Sequence, residues 1–153
     1  MKISLLINDQ QKTLEIKPGE TLLDLLRRNF YTEVKCGCNE GECGACLVLL
    51  DGEAVNSCQV MAGSAHGSSV TTVRGIGTQQ QPHIIQESLS EVGAVQCGFC
   101  TPGVVVAAYA LLQQNPDPSE QEIRSALDGN LCRCTGYEKI IDGIQLAAQR
   151  MQD

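Results

Sequence analysis

The spacing of the cysteines constrains this chain more than any other feature of its sequence. Four of the nine cysteines lie in the first half and follow the pattern C-x4-C-x2-C…C. Four more form a C-x2-C pair and a C-x-C pair in the second half. Thiolates at such spacings bind metal ions or iron–sulfur clusters, so the fold has to bring together two sets of four sulfur atoms. The first set is Cys38, Cys43, Cys46 and Cys58, and the second set is Cys97, Cys100, Cys132 and Cys134.

The first set has the spacing of plant-type [2Fe-2S] sites, in which four thiolates hold two irons. Gly37, Gly41 and Gly44 lie beside or between these cysteines. Glycine lets the backbone turn sharply and direct its amides at sulfur. Cys36 is a competing first ligand, but it would give C-x6-C-x2-C, which is not the plant-type spacing. We therefore assign Cys38 to the first set and interpret Cys36 as a small buried residue, with a redox or backup role as the alternative.

The cysteines of the second set precede two predicted helices. Thr101-Pro102 is typical of a helix start, and another helix follows from Tyr137. Helix N-termini carry partial positive charge and free N–H groups, which favour thiolates and an anionic cluster. Four thiolates also suit a structural zinc ion, so zinc is the alternative at this set. The neighbouring plant-type set favours a second [2Fe-2S] cluster, beside which Phe99 and Tyr137 are interpreted as packing residues.

Alternating apolar residues predict a small α+β unit in the first half. Asn8-Asp9-Gln10 supplies a turn between the first two strands, and Thr21 caps a short helix after Pro18-Gly19. Asp51-Gly52 is a strong hairpin signal between the next two strands. This order of strands, helix and cysteine loop resembles the β-grasp fold of plant-type ferredoxins. The predicted strands are 2–7, 12–17, 46–50, 54–55 and 69–73, and the predicted helix places Leu22, Leu25 and Leu26 on one face.

The second half has the pattern of an all-α domain with four helices. A capping box from Ser119 to Glu122 marks one helix start, and Asn115-Pro-Asp-Pro118 and Gly129-Asn130 mark helix ends. The predicted helices cover 83–92, 101–114, 119 to shortly before Gly129, and 137–151. We expect an α+β chain with a ferredoxin-like domain at 1–75, a linker at 76–82 and a helical domain at 83–153.

Composition narrows the classes of partner. The net charge of −7 argues against nucleic acid, because phosphate binding needs clustered Lys and Arg. The sequence contains no run of eighteen apolar residues, and no basic segment followed by an apolar one opens it. Nine cysteines in a reducing compartment are more often metal ligands than disulfides. We therefore expect a cytoplasmic protein with no membrane partner.

Three motifs resemble those of one enzyme family. The segment from Lys35 to Cys46, KCGCNEGECGAC, is similar to the first-cluster loop of the molybdenum hydroxylases, which include xanthine dehydrogenases and aldehyde oxidoreductases. The segments QCGFCTPG from Gln96 and GNLCRCTGY from Gly129 are similar to the second-cluster signatures of that family. The resemblance covers nearly the whole chain in the same order. It corresponds to the small iron–sulfur subunit, the form in which the family's domains occur on separate polypeptides.

The resemblance implies an electron relay that includes two [2Fe-2S] clusters. Substrate is oxidised at a molybdopterin centre in a large subunit, and electrons pass to the cluster of the second set. They continue to the cluster of the first set and then to FAD in a medium subunit. The resemblance also implies that Gln96 and Cys134 contact the pterin. No catalytic residue is expected in the chain, because it has no Gly-rich nucleotide loop and no nucleophile–base constellation.

The alternatives concern both substrate and class. A xanthine or other purine is the favoured substrate of the complex. Nicotinate and other N-heterocycles, aldehydes, carbon monoxide and aromatic acyl-CoA esters are the alternatives. From another class, a zinc-stabilised interaction module would use the same cysteines, and a free-standing ferredoxin would serve several partners.

Overall fold

The computed structural model describes residues 1–152, in which one five-stranded sheet is followed by a set of helices. The predicted α+β fold class is confirmed. The strands are β1 (Lys2–Ile7), β2 (Gln10–Glu15), β3 (Leu47–Leu50), β4 (Glu53–Asn56) and β5 (Ser69–Thr71). The helices are α1 (Leu22–Arg28), α2 (Val73–Ile76), α3 (Ile84–Glu91), α4 (Thr101–Gln114), α5 (Glu120–Ala126) and α6 (Glu138–Gln152).

The first two strands pair through a tight hairpin. Asn8 and Asp9 have φ angles of 48° and 63°, in the left-handed region that a two-residue hairpin turn requires. Because this turn closes within two residues, Gln10 already pairs with Ile7, and β2 begins earlier than the predicted start at residue 12. The alternation in β1 is confirmed, since its odd-numbered apolar residues are buried on one face of the sheet.

The sheet has the strand order β2-β1-β5-β3-β4, with β1 and β5 parallel and the other neighbours antiparallel. Helix α1 packs across the sheet, and the predicted cap is confirmed because Thr21 Oγ1 accepts a hydrogen bond from the Asp24 amide at 3.1 Å. The helix buries Leu22, Leu25 and Leu26 as predicted, and Leu23 as well. These residues and the inner face of β1 form the first hydrophobic core.

The four predicted helices of the second half are confirmed as α3, α4, α5 and α6. Ser119 and Glu122 form the predicted capping box, in which each side chain accepts a hydrogen bond from the backbone amide of the other residue. Helix α6 buries Ile140, Ile144 and Ala147 against α3. These helices enclose a second, aliphatic core that is separate from the first.

The short helix α2 was not predicted. The strand predicted at 69–73 ends at Thr71, because the amide of Thr72 donates a hydrogen bond to Asn8 Oδ1 at 2.8 Å instead of to a neighbouring strand. The chain then turns into α2, whose Val73 and Ile76 pack against the second core. Among residues 1–152, each helix is too short or too polar to cross a lipid bilayer.

Candidate metal centres

The first cysteine loop joins α1 to β3 and turns sharply around one sulfur atom. Asn39 and Gly41 have positive φ angles of 60° and 80°, which reverse the chain behind Cys38. The amides of Glu40 and Glu42 both donate hydrogen bonds to Cys38 Sγ at 3.3 Å. These backbone N–H groups, that of Glu40 foremost, lower the pKa of Cys38 to about 7. The loop therefore stabilises a thiolate at this position.

The thiols of the first set lie in two pairs. The thiol of Cys38 is within hydrogen-bonding reach of Cys43, and that of Cys46 is within reach of Cys58. Cys46 and Cys58 are buried, and burial raises the pKa of Cys46 to about 11. Because that pKa lies above neutral pH, a bound cation would favour loss of the Cys46 proton.

The last residue of β4 and the residue after it form hydrogen bonds that hold the first cysteine loop. Ser57 Oγ donates a hydrogen bond to the Cys46 carbonyl at 2.7 Å, and Asn56 Nδ2 donates one to the Gly41 carbonyl at 3.0 Å. Cys58 itself lies in the short 3-10 turn Ser57–Gln59. Asn56 and Ser57 were not predicted, because their role depends on the approach of β4 to the loop and not on spacing.

The interpretation of Cys36 as a buried residue is wrong. Cys36 is exposed, and its thiol donates a hydrogen bond to Asn39 Oδ1 at 3.2 Å. Cys36 therefore lies at the solvent-exposed surface of the loop and not in the hydrophobic core. The hydrogen-bond partner of the Cys36 thiol is thus Asn39, a side chain of the same loop.

The second set is also gathered into two pairs, across the start of α4 and the segment before α6. The thiol of Cys97 is within hydrogen-bonding reach of that of Cys134, and both residues are exposed. The thiols of Cys100 and Cys132 form the other pair, which is half-buried. Gly98, with a φ angle of 81°, reverses the chain between Cys97 and Cys100.

Neighbouring groups shift the pKa values of the thiols in the second set in opposite directions. The amide of Phe99 lowers the pKa of Cys97, while the hydrogen bond with Cys97 raises the pKa of Cys134. Burial raises the pKa of Cys100 to about 11. Thr135 Oγ1 donates a hydrogen bond to Cys132 Sγ at 3.1 Å. The set thus contains thiols of both high and low pKa, and a bound cluster would favour the deprotonated form of all four.

The paired arrangement fits a two-iron cluster, because each iron of a [2Fe-2S] centre takes two protein ligands. Within residues 1–152, no group of three or more His, Cys, Asp or Glu side chains is arranged around a single metal ion. The four thiols of each set instead lie as two neighbouring pairs.

The two sites are joined by direct backbone contact. The Leu131 amide donates a hydrogen bond to the Cys43 carbonyl at 2.9 Å, and Asn130 Nδ2 donates one to the Gly44 carbonyl at 3.3 Å. Gly44 and Gly103 approach so closely that a Cβ on Gly103 would collide with the Gly44 carbonyl oxygen. The loop of the first set is therefore packed against the segment that leads into Cys132.

Comparisons with known proteins identify both halves. Residues 5–69 match the family model of the 2Fe-2S iron-sulfur cluster binding domain, and residues 72–145 match that of the [2Fe-2S] binding domain. A nicotinate dehydrogenase small FeS subunit from Eubacterium barkeri is 47% identical over 149 residues, which cover 97% of this chain and 95% of the relative. The chain belongs to the iron–sulfur subunits of the molybdenum hydroxylases. The iron–sulfur subunit thus has the predicted ferredoxin-like domain followed by a helical [2Fe-2S] domain, and it binds two [2Fe-2S] clusters.

Solved structures agree with this assignment. The crystal structure of quinoline 2-oxidoreductase from Pseudomonas putida 86 contains a chain that is 41% identical, with a TM-score of 0.94, and the match covers 99% of this chain and 96% of that one. Aldehyde oxidoreductase from Desulfovibrio desulfuricans is 41% identical, with a TM-score of 0.95 over 99% of this chain and 17% of its own. The iron–sulfur subunit therefore acts with a larger catalytic partner. Because both matched domains are [2Fe-2S] domains, the zinc alternative is not favoured.

Proposed function

We propose that the iron–sulfur subunit carries electrons between two partner subunits through two specific sets of four thiolates. The first set is Cys38, Cys43, Cys46 and Cys58, and the second is Cys97, Cys100, Cys132 and Cys134. The observation that carries this proposal is the collection of each set into two thiol pairs on loops that hydrogen-bond to each other. When bound, each cluster takes up and releases one electron.

The chain's own residues prepare the two sites for this task. The amides of Glu40 and Glu42 at Cys38, and the hydroxyl of Thr135 at Cys132, stabilise negative charge on sulfur. Burial of Cys46 and Cys58 keeps water from one side of the first site. These contacts set reduction potentials through hydrogen bonding and solvent exposure.

Cysteine substitutions test the ligand sets. Wild-type protein should contain about four irons and four sulfides per chain and give two EPR signals when reduced. Cys43→Ser should remove or alter one signal, and Cys100→Ser should do so for the other. Each variant serves as the control for the other, because the change is chemically the same. If either variant leaves both EPR signals unchanged, the proposed ligand set for that site is wrong.

We propose that the larger, molybdopterin-binding partner docks on the face around Gln96 and Cys134, and that these two residues contact the pterin. Support comes from the exposure of both residues beside three exposed apolar side chains, which suits a protein interface. Those side chains are Val95, Phe99 and Leu131, with exposed fractions of 42%, 48% and 60%.

Phe99→Asp tests this docking face in the assembled complex. We expect the variant to retain its iron but to elute apart from the large subunit, because a charge replaces an apolar contact. Phe30→Asp is the matched control, since Phe30 is an exposed phenylalanine of the other domain at 85% exposure. Co-elution of Phe99→Asp with the large subunit at the wild-type ratio would exclude this face.

Further proposals concern the rest of the complex. Cys38, Cys43, Cys46 and Cys58 would hold the cluster from which FAD in a medium subunit would take electrons, and this subunit should co-purify with the chain. The substrate is a nitrogen heterocycle, with a xanthine-type purine favoured; the relatives named for nicotinate and quinoline support this chemical class. A screen of the purified complex against xanthine, nicotinate, quinoline and an aldehyde tests the choice. We also propose that the protein is cytoplasmic. We further propose that the ferredoxin-like domain covers residues 1–75, the linker 76–82 and the helical domain 83–153.

A further inference from the structure

Tyr137 ties together the segment that leads into the second pair of cysteines. Its phenol oxygen accepts a hydrogen bond from the Cys132 amide at 2.9 Å and donates one to the Asn130 carbonyl at 2.8 Å. A single hydroxyl therefore pairs with the backbone C=O of the residue before Leu131 and the backbone N–H of the residue after it. Both groups belong to irregular backbone, in which no neighbouring strand or helical turn supplies those partners.

The backbone of Tyr137 is itself held in an uncommon conformation. Its φ angle is 71°, which is costly for a bulky residue. The Tyr137 amide donates a hydrogen bond to Thr135 Oγ1 at 3.4 Å, and its carbonyl accepts the Ile141 amide of α6 at 2.9 Å. Because hydrogen bonds hold both the amide and the carbonyl of Tyr137, its ring projects from a fixed backbone position at the start of α6.

The segment that Tyr137 holds is also the one that contacts the first site. The Leu131 amide bonds to the Cys43 carbonyl, and the Asn130 side chain bonds to the Gly44 carbonyl. Asn130 is only 4% exposed, so this junction lies inside the protein. The Tyr137 hydroxyl thus holds two backbone groups, one of Cys132, a proposed cluster ligand, and one of Asn130, whose side chain bonds to the loop of the other site.

We propose that Tyr137 is a positioning residue of the second iron–sulfur site, whose hydroxyl fixes the Cys132 amide and so sets the electronic environment of that cluster. This inference rests on the proposed ligand role of Cys132. In the wild-type protein, the phenol oxygen holds the Cys132 N–H. Removal of that oxygen frees the N–H to turn to a sulfur or to attract water, and either event places positive dipole near an anionic cluster. The reduced state is then favoured, and the reduction potential of the second cluster rises.

Tyr137→Phe tests the proposal, because it removes one oxygen atom and keeps the ring. The measurement is EPR-monitored redox titration of the full-length, cluster-loaded protein, with the two signals assigned from Cys43→Ser and Cys100→Ser. We expect the signal of the second cluster to change shape and its potential to become more positive, while the first signal is unchanged. If the variant loses iron, the loss should fall on the second cluster, with the first signal retained.

Tyr109→Phe is the matched control. Tyr109 packs edge-on against His83 at 5.4 Å between ring centroids, and within residues 1–152 its hydroxyl has no hydrogen-bond partner. We expect its two EPR signals and potentials to equal those of the wild-type protein. A Tyr137→Phe protein with both signals and both potentials unchanged would overturn the proposal. Equal loss of both signals would also overturn it, because Tyr137 would then serve the fold as a whole.

The wild-type measurement separates this inference from the function on which it rests. Absence of iron in the wild-type protein, or a Cys100→Ser variant with both signals intact, would remove the proposed ligand set. Two normal wild-type signals with an unresponsive Tyr137→Phe variant would leave the ligand set in place and remove only the role of Tyr137.

Discussion

The amide nitrogen of Leu131 lies 2.9 Å from the carbonyl oxygen of Cys43, and this hydrogen bond joins the backbones of the two cysteine sets. Leu131 is adjacent to Cys132 in the chain, so one hydrogen bond and a few covalent bonds connect a proposed ligand of each cluster. The buried side chain of Asn130 strengthens the junction through its bond to the Gly44 carbonyl. The two domains therefore meet where their metal sites meet.

Substitution of Gly44 tests how tightly this junction is packed. Gly44 has a φ angle of 69°, and a Cβ there would lie 2.7 Å from Asn130 Nδ2 and against the Gly129 carbonyl. We expect Gly44→Ala to lower the free energy of unfolding through backbone strain and through overpacking, which costs about 1–3 kcal/mol. The measurement is the thermal unfolding midpoint of cluster-loaded protein.

Gly52→Ala is the control for Gly44→Ala. Gly52 also has a positive φ angle, 91°, but a Cβ there meets no atom within 4 Å. Its substitution should therefore cost only the backbone strain of about 1 kcal/mol. Equal losses for the two variants would show that the contact with Gly129 and Asn130 adds nothing to stability.

Cys36 and Cys38 give a direct comparison between two neighbouring thiols. Cys38 accepts two backbone N–H bonds, whereas Cys36 is exposed and bonds to Asn39. We expect Cys36→Ser to keep about four irons per chain and Cys38→Ser to lose about two, in line with one missing [2Fe-2S] cluster. Iron and sulfide analysis measures both. A Cys36→Ser variant with half of its iron would exchange the two assignments.

Thr72 connects β5 to the residues before the first cysteine loop. Its hydroxyl accepts a hydrogen bond from Asn8 Nδ2 at 3.0 Å and donates one to Glu33 Oε1 at 2.9 Å. Thr72→Val should cost about 2 kcal/mol, because it leaves the Glu33 carboxylate oxygen and the Asn8 side-chain amide, both partly buried, without their hydrogen-bond partner. Chemical unfolding measures the loss. Thr71→Val, at the adjacent last residue of β5, is the control, and a similar loss in both variants would contradict this interpretation.

The pair of Glu20 and Arg28 should make stability depend on pH. Arg28 Nε donates to Glu20 Oε1 at 2.8 Å, and this hydrogen bond holds the pKa of the carboxyl below its usual value of 4.5. A lowered pKa in the folded state adds stability above the unfolded value, and this stability is lost as the pH falls through the folded pKa. Glu20→Gln should therefore lower the thermal midpoint at pH 7, and its difference from wild type should shrink as the pH falls below about 4.5.

Glu53→Gln provides the control for this pH dependence. Glu53 lies at the exposed start of β4, and no ion pair or side-chain hydrogen bond of Glu53 is found within residues 1–152. Its substitution should shift the midpoint little at any pH. A Glu20→Gln difference that stays constant from pH 7 to pH 4 would show that the charge of Glu20 is not the cause.

The local parts of this fold were predictable because they depend on neighbours in sequence. Capping at Thr21 and Ser119, and the helix that starts at Thr101, follow from side chains three or fewer residues away. The proposed division of the cysteines into two sets also rests on spacing in the sequence. The family motifs around Gln96 and Gly129 added the nature of the partner subunit, which composition and periodicity could not supply.

The parts that were not predicted depend on contacts between distant segments. Helix α2 follows Thr72, whose amide donates to Asn8 Oδ1, more than sixty residues earlier, and not to a neighbouring strand. The exposure of Cys36 depends on how the loop turns at Asn39. Tyr137 was interpreted as a packing residue, since the partners of a phenol hydroxyl leave no mark in the sequence. The close approach of Gly44 to Gly103 is likewise a property of the assembled domains.

The close contact between Gly44 and Gly103 affects the rate of electron transfer between the two sites. Electron tunnelling slows exponentially with the gap between donor and acceptor, so a loosely tethered pair would exchange charge at a fluctuating rate. A Gly44 carbonyl seated against Gly103, with no room for even one methyl group, leaves the two halves little freedom to drift apart. This packing therefore limits changes in the distance between the two cysteine sets.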